Sequence, residues 1–163
     1  MTTPLEGVLV VSVEQAIAAP FASRQLADLG ARVLKIERPD SGDFARDYDS
    51  AVAGTSAFFV WANRGKDSFV LDLKDDDDRA MFDQLVAGAD VFIQNLAPGA
   101  AERAGLLPHQ VRERHPSIVA CGISGYGLDG PRTHDKAYDL AIQAEAGAIT
   151  LTGSTDEPSK VGF

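Results

Sequence analysis

One cysteine, Cys121, stands in 163 residues, which excludes a disulfide framework and a thiolate metal site. The three histidines, His109, His115 and His134, have no metal-ligand spacing, and each reads as a surface side chain. No stretch approaches the roughly 20 apolar residues of a membrane helix. The opening MTTPLEG has neither the basic start nor the apolar run of a signal peptide, so a cytoplasmic location is expected. Positive charge is scarce too: 15 Lys and Arg against 24 Asp and Glu give a net charge of −9. That argues against a nucleic-acid partner, whose phosphates need a basic face. It leaves room for a small anionic ligand gripped by a few well-placed cations. The sequence after the first apolar run is EQAIAAP, with no GxGxxG, and nowhere is there a GxxxxGK(S/T) or a GxSxG. The standard dinucleotide fingerprint, the P-loop and the serine-hydrolase elbow are therefore missing.

What is present is an alternation. β-rich runs occur at GVLVVSV (residues 7–13), ARVLKIE (31–37), SFVLDL (68–73), DVFIQN (90–95) and SIVACGIS (117–124). Several are apolar at both odd and even positions, as parallel strands covered on both faces require. Helical patterns lie between them. Residues 20–29 carry Phe21, Leu26 and Leu29 on one stripe, with Pro20 suited to a first turn and Gly30 to a stop. Residues 76–87 place Met81, Phe82, Leu85 and Val86 together, and PHQVRERH reads as a short helix. The rhythm predicts an α/β fold with a doubly wound, mainly parallel sheet. The run Asp75, Asp76, Asp77, Asp78 is expected to cap a helix rather than bind calcium, because the glycine and terminal glutamate of a calcium loop are absent. Cys121, in the middle of a strand, reads as a small buried hydrophobe. Residues 38–63 form the longest irregular stretch, long enough to suggest a functional or mobile loop.

Ligands of open parallel sheets bind beyond the carboxyl ends of the strands. Those ends carry Glu14, Gln15 and Ala16, then Arg38, Lys74, Asn95, and the turn SGYG at 124–127. Each cation alone reads as a solvated side chain. Their repetition at consecutive strand ends predicts a site for an anionic ligand, with arginine able to grip a phosphate bidentately.

Five blocks, taken with these ends, resemble the class III CoA-transferases, the formyl-CoA transferase and carnitine-CoA transferase (CaiB/BaiF) type. They are PLEGVLVVSVEQAIAAPFASRQLADLGARVLKIERPDSGDFAR, NRGKDSFVLDLK, ADVFIQNLAPGAAERAGL, SIVACGISGYGLDGP and KAYDLAIQAEAGAITLTG, in family order. The resemblance implies a Rossmann-like large domain, with residues 1–163 its N-terminal part and a second, smaller domain outside this chain. It implies coenzyme A contacts at Ala16, Arg38, Leu71, Lys74, Asn95, Leu96, Arg103 and Lys136. Leu96 departs from the phenylalanine common in the family. Coenzyme A and acyl-CoA would be substrates, with no tightly bound cofactor and no metal. Full-length relatives form interlocked homodimers.

The implied reaction passes CoA from an acyl-CoA to a carboxylic acid through an aspartyl-CoA thioester. The nucleophilic aspartate is expected just beyond Phe163, in a VGxxxxD-like segment that Val161-Gly162-Phe163 would begin, so this chain alone is expected to be inactive. Asp139 is expected to cap the helix after Lys136, or, with Tyr138, to support the reacting groups. The related 2-methylacyl-CoA racemases place a histidine where Tyr138 stands; tyrosine is a poor base near neutrality, which favours the transferase over the racemase. A third reading is a non-catalytic CoA-binding module. The blocks resemble most closely members acting on small dicarboxylates such as mesaconate, itaconate or succinate. Ile17 replaces a glutamine that some members set against the acid, which disfavours oxalate. Arg46 is a candidate for a distal carboxylate, or a solvated loop residue.

Overall fold

The computed structural model describes residues 2–161 and divides the chain into two compact units, Met1–Ile123 and Ser124–Phe163. The first unit contains β1 (Leu9–Val13), α1 (Ala18–Asp28), β2 (Arg32–Glu37), a 3-10 turn (Phe44–Asp47), α2 (Ala57–Asn63) and β3 (Lys66–Val70). It continues through α3 (Asp76–Ala87), β4 (Val91–Gln94), α4 (Pro98–Arg103), α5 (Pro108–Arg114) and β5 (Val119–Gly122). Its five strands make one all-parallel sheet in the order β3-β2-β1-β4-β5. The doubly wound expectation holds, and the strand order reverses between β1 and β4, which is where such sheets bind ligands.

The strands of this sheet's centre are apolar on both parities because both faces are covered. Val11 and Val13 of β1 pack with Phe82 and Val86 of α3, Phe92, Leu106 and Val111. Val10, on the opposite face, packs with Ala19 of α1, Val33 and Ile93. Phe82 is fully buried and meets Phe92 edge-on at 6.2 Å between ring centroids; burying such a side chain contributes about 1.5–3 kcal/mol.

α3 starts inside the acidic run, with Asp75 as its N-cap residue. The Asp75 carboxylate accepts the N–H groups of Asp77 (3.0 Å) and Asp78 (3.1 Å), while Asp76, Asp77 and Asp78 occupy the first turn. This is the capping role expected of the run. Asp75→Ala should therefore cost about 1 kcal/mol, a fall in Tm of about 2–4 °C by calorimetry.

Three expectations are corrected. The buried face of α1 is Ala19, Pro20, Ser23 and Arg24, whereas Phe21 and Leu29 are exposed. Arg24 is buried because its guanidinium lies against the rings of Phe21 (4.9 Å) and Trp61 (4.7 Å) and donates to the Trp61 carbonyl. The third strand begins at Lys66, two residues earlier than its apolar content suggests, and is a largely exposed sheet edge. Cys121 is exposed, because β5 is the opposite edge and its burial alternates.

The second unit holds α6 (Asp139–Glu145) and α7 (Ala148–Leu151). Arg132 anchors the loop before α6: it bonds Glu145 (2.6 Å) and Asp135 (2.9 Å) and lies 3.9 Å from the centre of the Tyr126 ring. Among the described residues no helix is long and apolar enough to cross a membrane.

Candidate functional site

A cavity of about 470 Å³ opens beyond the carboxyl ends of β1, β2, β3 and β4. Its apolar wall includes Leu71, Leu96 and Ala100. Arg38 reaches it from the end of β2, Lys74 from the loop after β3, and Arg103 from the last turn of α4. All three are exposed, and among the described residues none makes an ion pair. Arg38 is oriented by donating from Nε to the Gly42 carbonyl at 3.0 Å. Three cations with unfilled donors around an apolar wall suit a ligand that is anionic at one end and apolar at another.

Five of the eight expected contact residues thus line one cavity: Arg38, Leu71, Lys74, Leu96 and Arg103. Ala16 and Asn95 adjoin it through Gln15. The Asn95 carboxamide accepts the Gln15 N–H and donates to the Gln15 carbonyl, both at 2.8 Å. Ala16 has φ 61°, a left-handed conformation that costs a residue with a Cβ about 1 kcal/mol. Its N–H donates to Asp43 Oδ1 at 3.0 Å. Arg79, absent from the expected set, also lines the cavity, but Asp83 and the Ala104 carbonyl engage its guanidinium.

Lys136 lies in the second unit, exposed and, among the described residues, without an ion pair. In that unit Tyr138 is the N-cap residue of α6 and makes no side-chain cap bond. Asp139 stands in the first turn instead of capping it, and accepts from Gln143 Nε2 at 2.8 Å. Gln143 in turn brackets the backbone of Val161, accepting its N–H (2.8 Å) and donating to its carbonyl (3.1 Å). Gly162 and Phe163, expected to open the nucleophile segment, lie outside the described residues.

A buried ionic network that the sequence reading did not anticipate abuts the cavity, with Glu14, Glu37 and Asp43 in its lining and Lys35 and Lys66 behind them. Strand alternation sends Ser12 of β1, Lys35 and Glu37 of β2, and Lys66 and Ser68 of β3 to one face. Lys35 Nζ bonds Asp43 Oδ2 at 2.6 Å, with both side chains at most 1% exposed. Lys66 Nζ bonds Glu14 Oε1 at 2.6 Å, and Glu14 also accepts from the Ser23 hydroxyl. Asn63 Oδ1 accepts from both lysines, at 2.8 and 3.0 Å. Burial lowers the Lys66 ammonium to about 8, against the opposing pull of Glu14.

Glu37 receives the fork of Arg46 at 2.7 and 2.9 Å, the Ser68 hydroxyl at 2.7 Å and the Asp43 N–H at 2.9 Å. Burial pushes its carboxyl up, but these donors prevail and hold it down at about 2. Arg46 is accordingly neither a free loop arginine nor a cavity cation: Glu37 binds it, and it stacks 3.9 Å from the Phe59 ring centre. The signal for the network was in plain sight, a lysine inside the apolar run VLKIE.

A sequence model of CoA-transferase family III matches residues 5–163. An acetyl-CoA:oxalate CoA-transferase of Acetobacter aceti is 41% identical over 160 residues, covering 98% of this chain and 41% of the relative. A succinyl-CoA:glutarate CoA-transferase of Mus musculus is 37% identical over 161 residues, covering 98% of this chain and 37% of the relative. The crystal structure of a CAIB/BAIF family protein from Brucella suis superposes with a TM-score of 0.92 at 37% identity, covering this whole chain and 44% of that one. The chain thus spans less than half the length of these relatives.

Proposed function

The chain belongs to CoA-transferase family III, and from this we propose that it binds coenzyme A in the cavity at the strand ends and that the whole protein transfers CoA between carboxylic acids. The observation that carries the binding reading is the grouping of Arg38, Lys74 and Arg103 around the apolar wall of Leu71, Leu96 and Ala100. Coenzyme A combines a 3′-phosphate and a diphosphate with an adenine ring and a long pantetheine arm, which this mixture of surfaces fits. The remaining contacts assigned by family position are Ala16, Asn95 and Lys136. In a protein of net charge −9 the positive potential stays local to these groups.

In the proposed reaction an aspartate attacks the acyl-CoA thioester carbonyl, giving a mixed anhydride and CoA thiolate. The thiolate then attacks the aspartyl carbonyl of that anhydride, releasing the donor acid and leaving an aspartyl-CoA thioester. The acceptor carboxylate repeats the sequence in reverse and leaves as its own CoA thioester. The nucleophile is assigned to no residue of this chain; its place in the proposal is past Phe163. Asp139 is assigned support of that segment, since Asp139 holds Gln143 and Gln143 holds the Val161 backbone; Tyr138 is assigned it by family position alone. Small dicarboxylates are the proposed acceptors, and the named relatives act on oxalate and glutarate.

Titration calorimetry of the 163-residue chain tests the binding half. Arg38→Ala and Arg103→Ala should each weaken CoA about tenfold, the low end for a charge-assisted contact at an exposed site. Unchanged affinity in both would sink the assignment. For the reaction, the whole protein given succinyl-CoA and a panel of dicarboxylates should form new CoA thioesters. α-Deuteration of a chiral 2-methylacyl-CoA in D₂O without any acceptor would instead mark a racemase.

A further inference from the structure

The Gln15–Ala16 dipeptide beside the cavity is clamped from two sides. Asn95 takes both backbone groups of Gln15, and Asp43 takes the N–H of Ala16. Asp43 has a second hold on the same wall: its Oδ1 also accepts the Ala45 N–H at 2.9 Å, and its own N–H reaches Glu37. Its other oxygen is neutralised by the buried Lys35 ammonium. One carboxylate therefore fastens the turn after β1 to the loop after β2, and Gln15, Arg38 and Gly42 from these two segments line the cavity.

We propose that Asp43, charge-balanced by Lys35, is the positioning residue of the cavity, acting on the bound ligand through the left-handed backbone of Ala16. The inference rests on the CoA-binding reading for the identity of the ligand. Its geometric basis is the unusual conformation of Ala16. A residue with a Cβ leaves φ 61° unless something holds it there, and the Asp43 carboxylate is the partner of its N–H. Releasing that N–H lets Ala16 return to negative φ, which turns the Gln15 peptide away from its place in the wall. Lys35 does not line the cavity; it balances the Asp43 charge and fixes the carboxylate at 2.6 Å.

The test compares three variants of the chain. Asp43→Asn removes the charge facing Lys35. Lys35→Met/Asp43→Leu removes both members, so that no buried charge is left alone and folding is retained, yet Ala16 loses its acceptor. Phe82→Leu, in the core of the other sheet face, is a control for lost stability. Calorimetry should show CoA binding weakened about tenfold in both Asp43 variants and within twofold of the parent in Phe82→Leu. Hydrogen exchange should show the Ala16 amide losing protection in Lys35→Met/Asp43→Leu, which has no acceptor there, and keeping it in Phe82→Leu. Parent-like CoA affinity and Ala16 protection in the folded double variant would overturn the proposal. If the parent itself binds no CoA, the binding reading fails, and Ala16 protection still decides whether Asp43 sets the turn.

Discussion

Lys35→Met should lower the stability of this chain by about 3–5 kcal/mol, read from the midpoint of urea denaturation at pH 7 with an unchanged slope. Methionine matches the length of the lysine stem and fits an apolar strand, so the loss is not one of packing. It comes from what is left behind. Asp43 would keep its N–H donors from Ala16 and Ala45 but lose the 2.6 Å ammonium that balances it in a site at most 1% exposed. Asn63 would lose one of its two lysine donors as well. Removing the second charge should undo much of the damage: Lys35→Met/Asp43→Leu should recover more than half of the loss. A double-mutant cycle measures that coupling directly. Additive losses would show that the pair is not the unit described above.

Acid should remove on the order of 2 kcal/mol through Glu37 alone. Its folded-state value of about 2 lies below the ordinary 4.5, so the unfolded chain binds the proton more readily. The contribution is fully present above pH 4.5 and is lost as pH falls through 2. Water reaching the partly exposed Arg46 side of the pair keeps the figure below the full linkage value. Arg46→Ala should flatten this limb of the stability–pH curve, since the fork is the largest of the forces holding Glu37 ionised. Lys66 acts with the opposite sense from the usual lysine. With a folded value near 8 against 10.5, it holds its proton less well folded than unfolded. Its contribution therefore rises with pH between 8 and 10.5, where burying the charge ceases to be a cost. A steady fall in stability across that alkaline window would contradict the burial described for it.

The architecture was legible where apolar periodicity speaks. The runs at 7–13, 31–37 and 90–95 are β1, β2 and β4 because strands covered on both faces leave an uninterrupted apolar signature. The edges were harder. β3 carries Lys66, Asp67 and Ser68, and its first lysine serves the ionic network rather than an apolar face, so its opening reads as loop. Leu71, which drew the boundary forwards, is buried but follows the strand. The exposure of Cys121 has the same origin, since a sequence does not say which strand lies at an edge. α1 misled for another reason. Arg24 is buried by two aromatic rings rather than by a hydrophobic stripe, and one of those rings, Trp61, lies 37 residues away.

At the site, Arg38, Lys74 and Arg103 could be singled out because a cation at a strand or helix end has a direct chemical reading. The network beneath them could not be assembled in the same way. Lys35, Asp43, Asn63 and Lys66 are each ordinary alone; the pairing of β2 with β3 brings the two lysines to one face, and Asp43 from the loop after β2 and Asn63 from α2 meet them there. Asn95 shows the converse: its position follows from the turn NLAP, but the use of its carboxamide on Gln15 does not.

The central position of β1 also sets a timetable for making the protein. β1 finds β2 within a few dozen residues, but its other edge is closed by β4, and Leu9 bonds Asp90 across a separation of 81 residues. At about 5–20 residues per second of synthesis, that edge waits roughly 4–16 seconds on the ribosome. During that interval the most apolar strand of the sheet presents unpaired backbone to its surroundings. The slow step in the birth of this fold is thus expected to be the arrival of β4, and chaperone contact to concentrate on nascent chains shorter than about 95 residues.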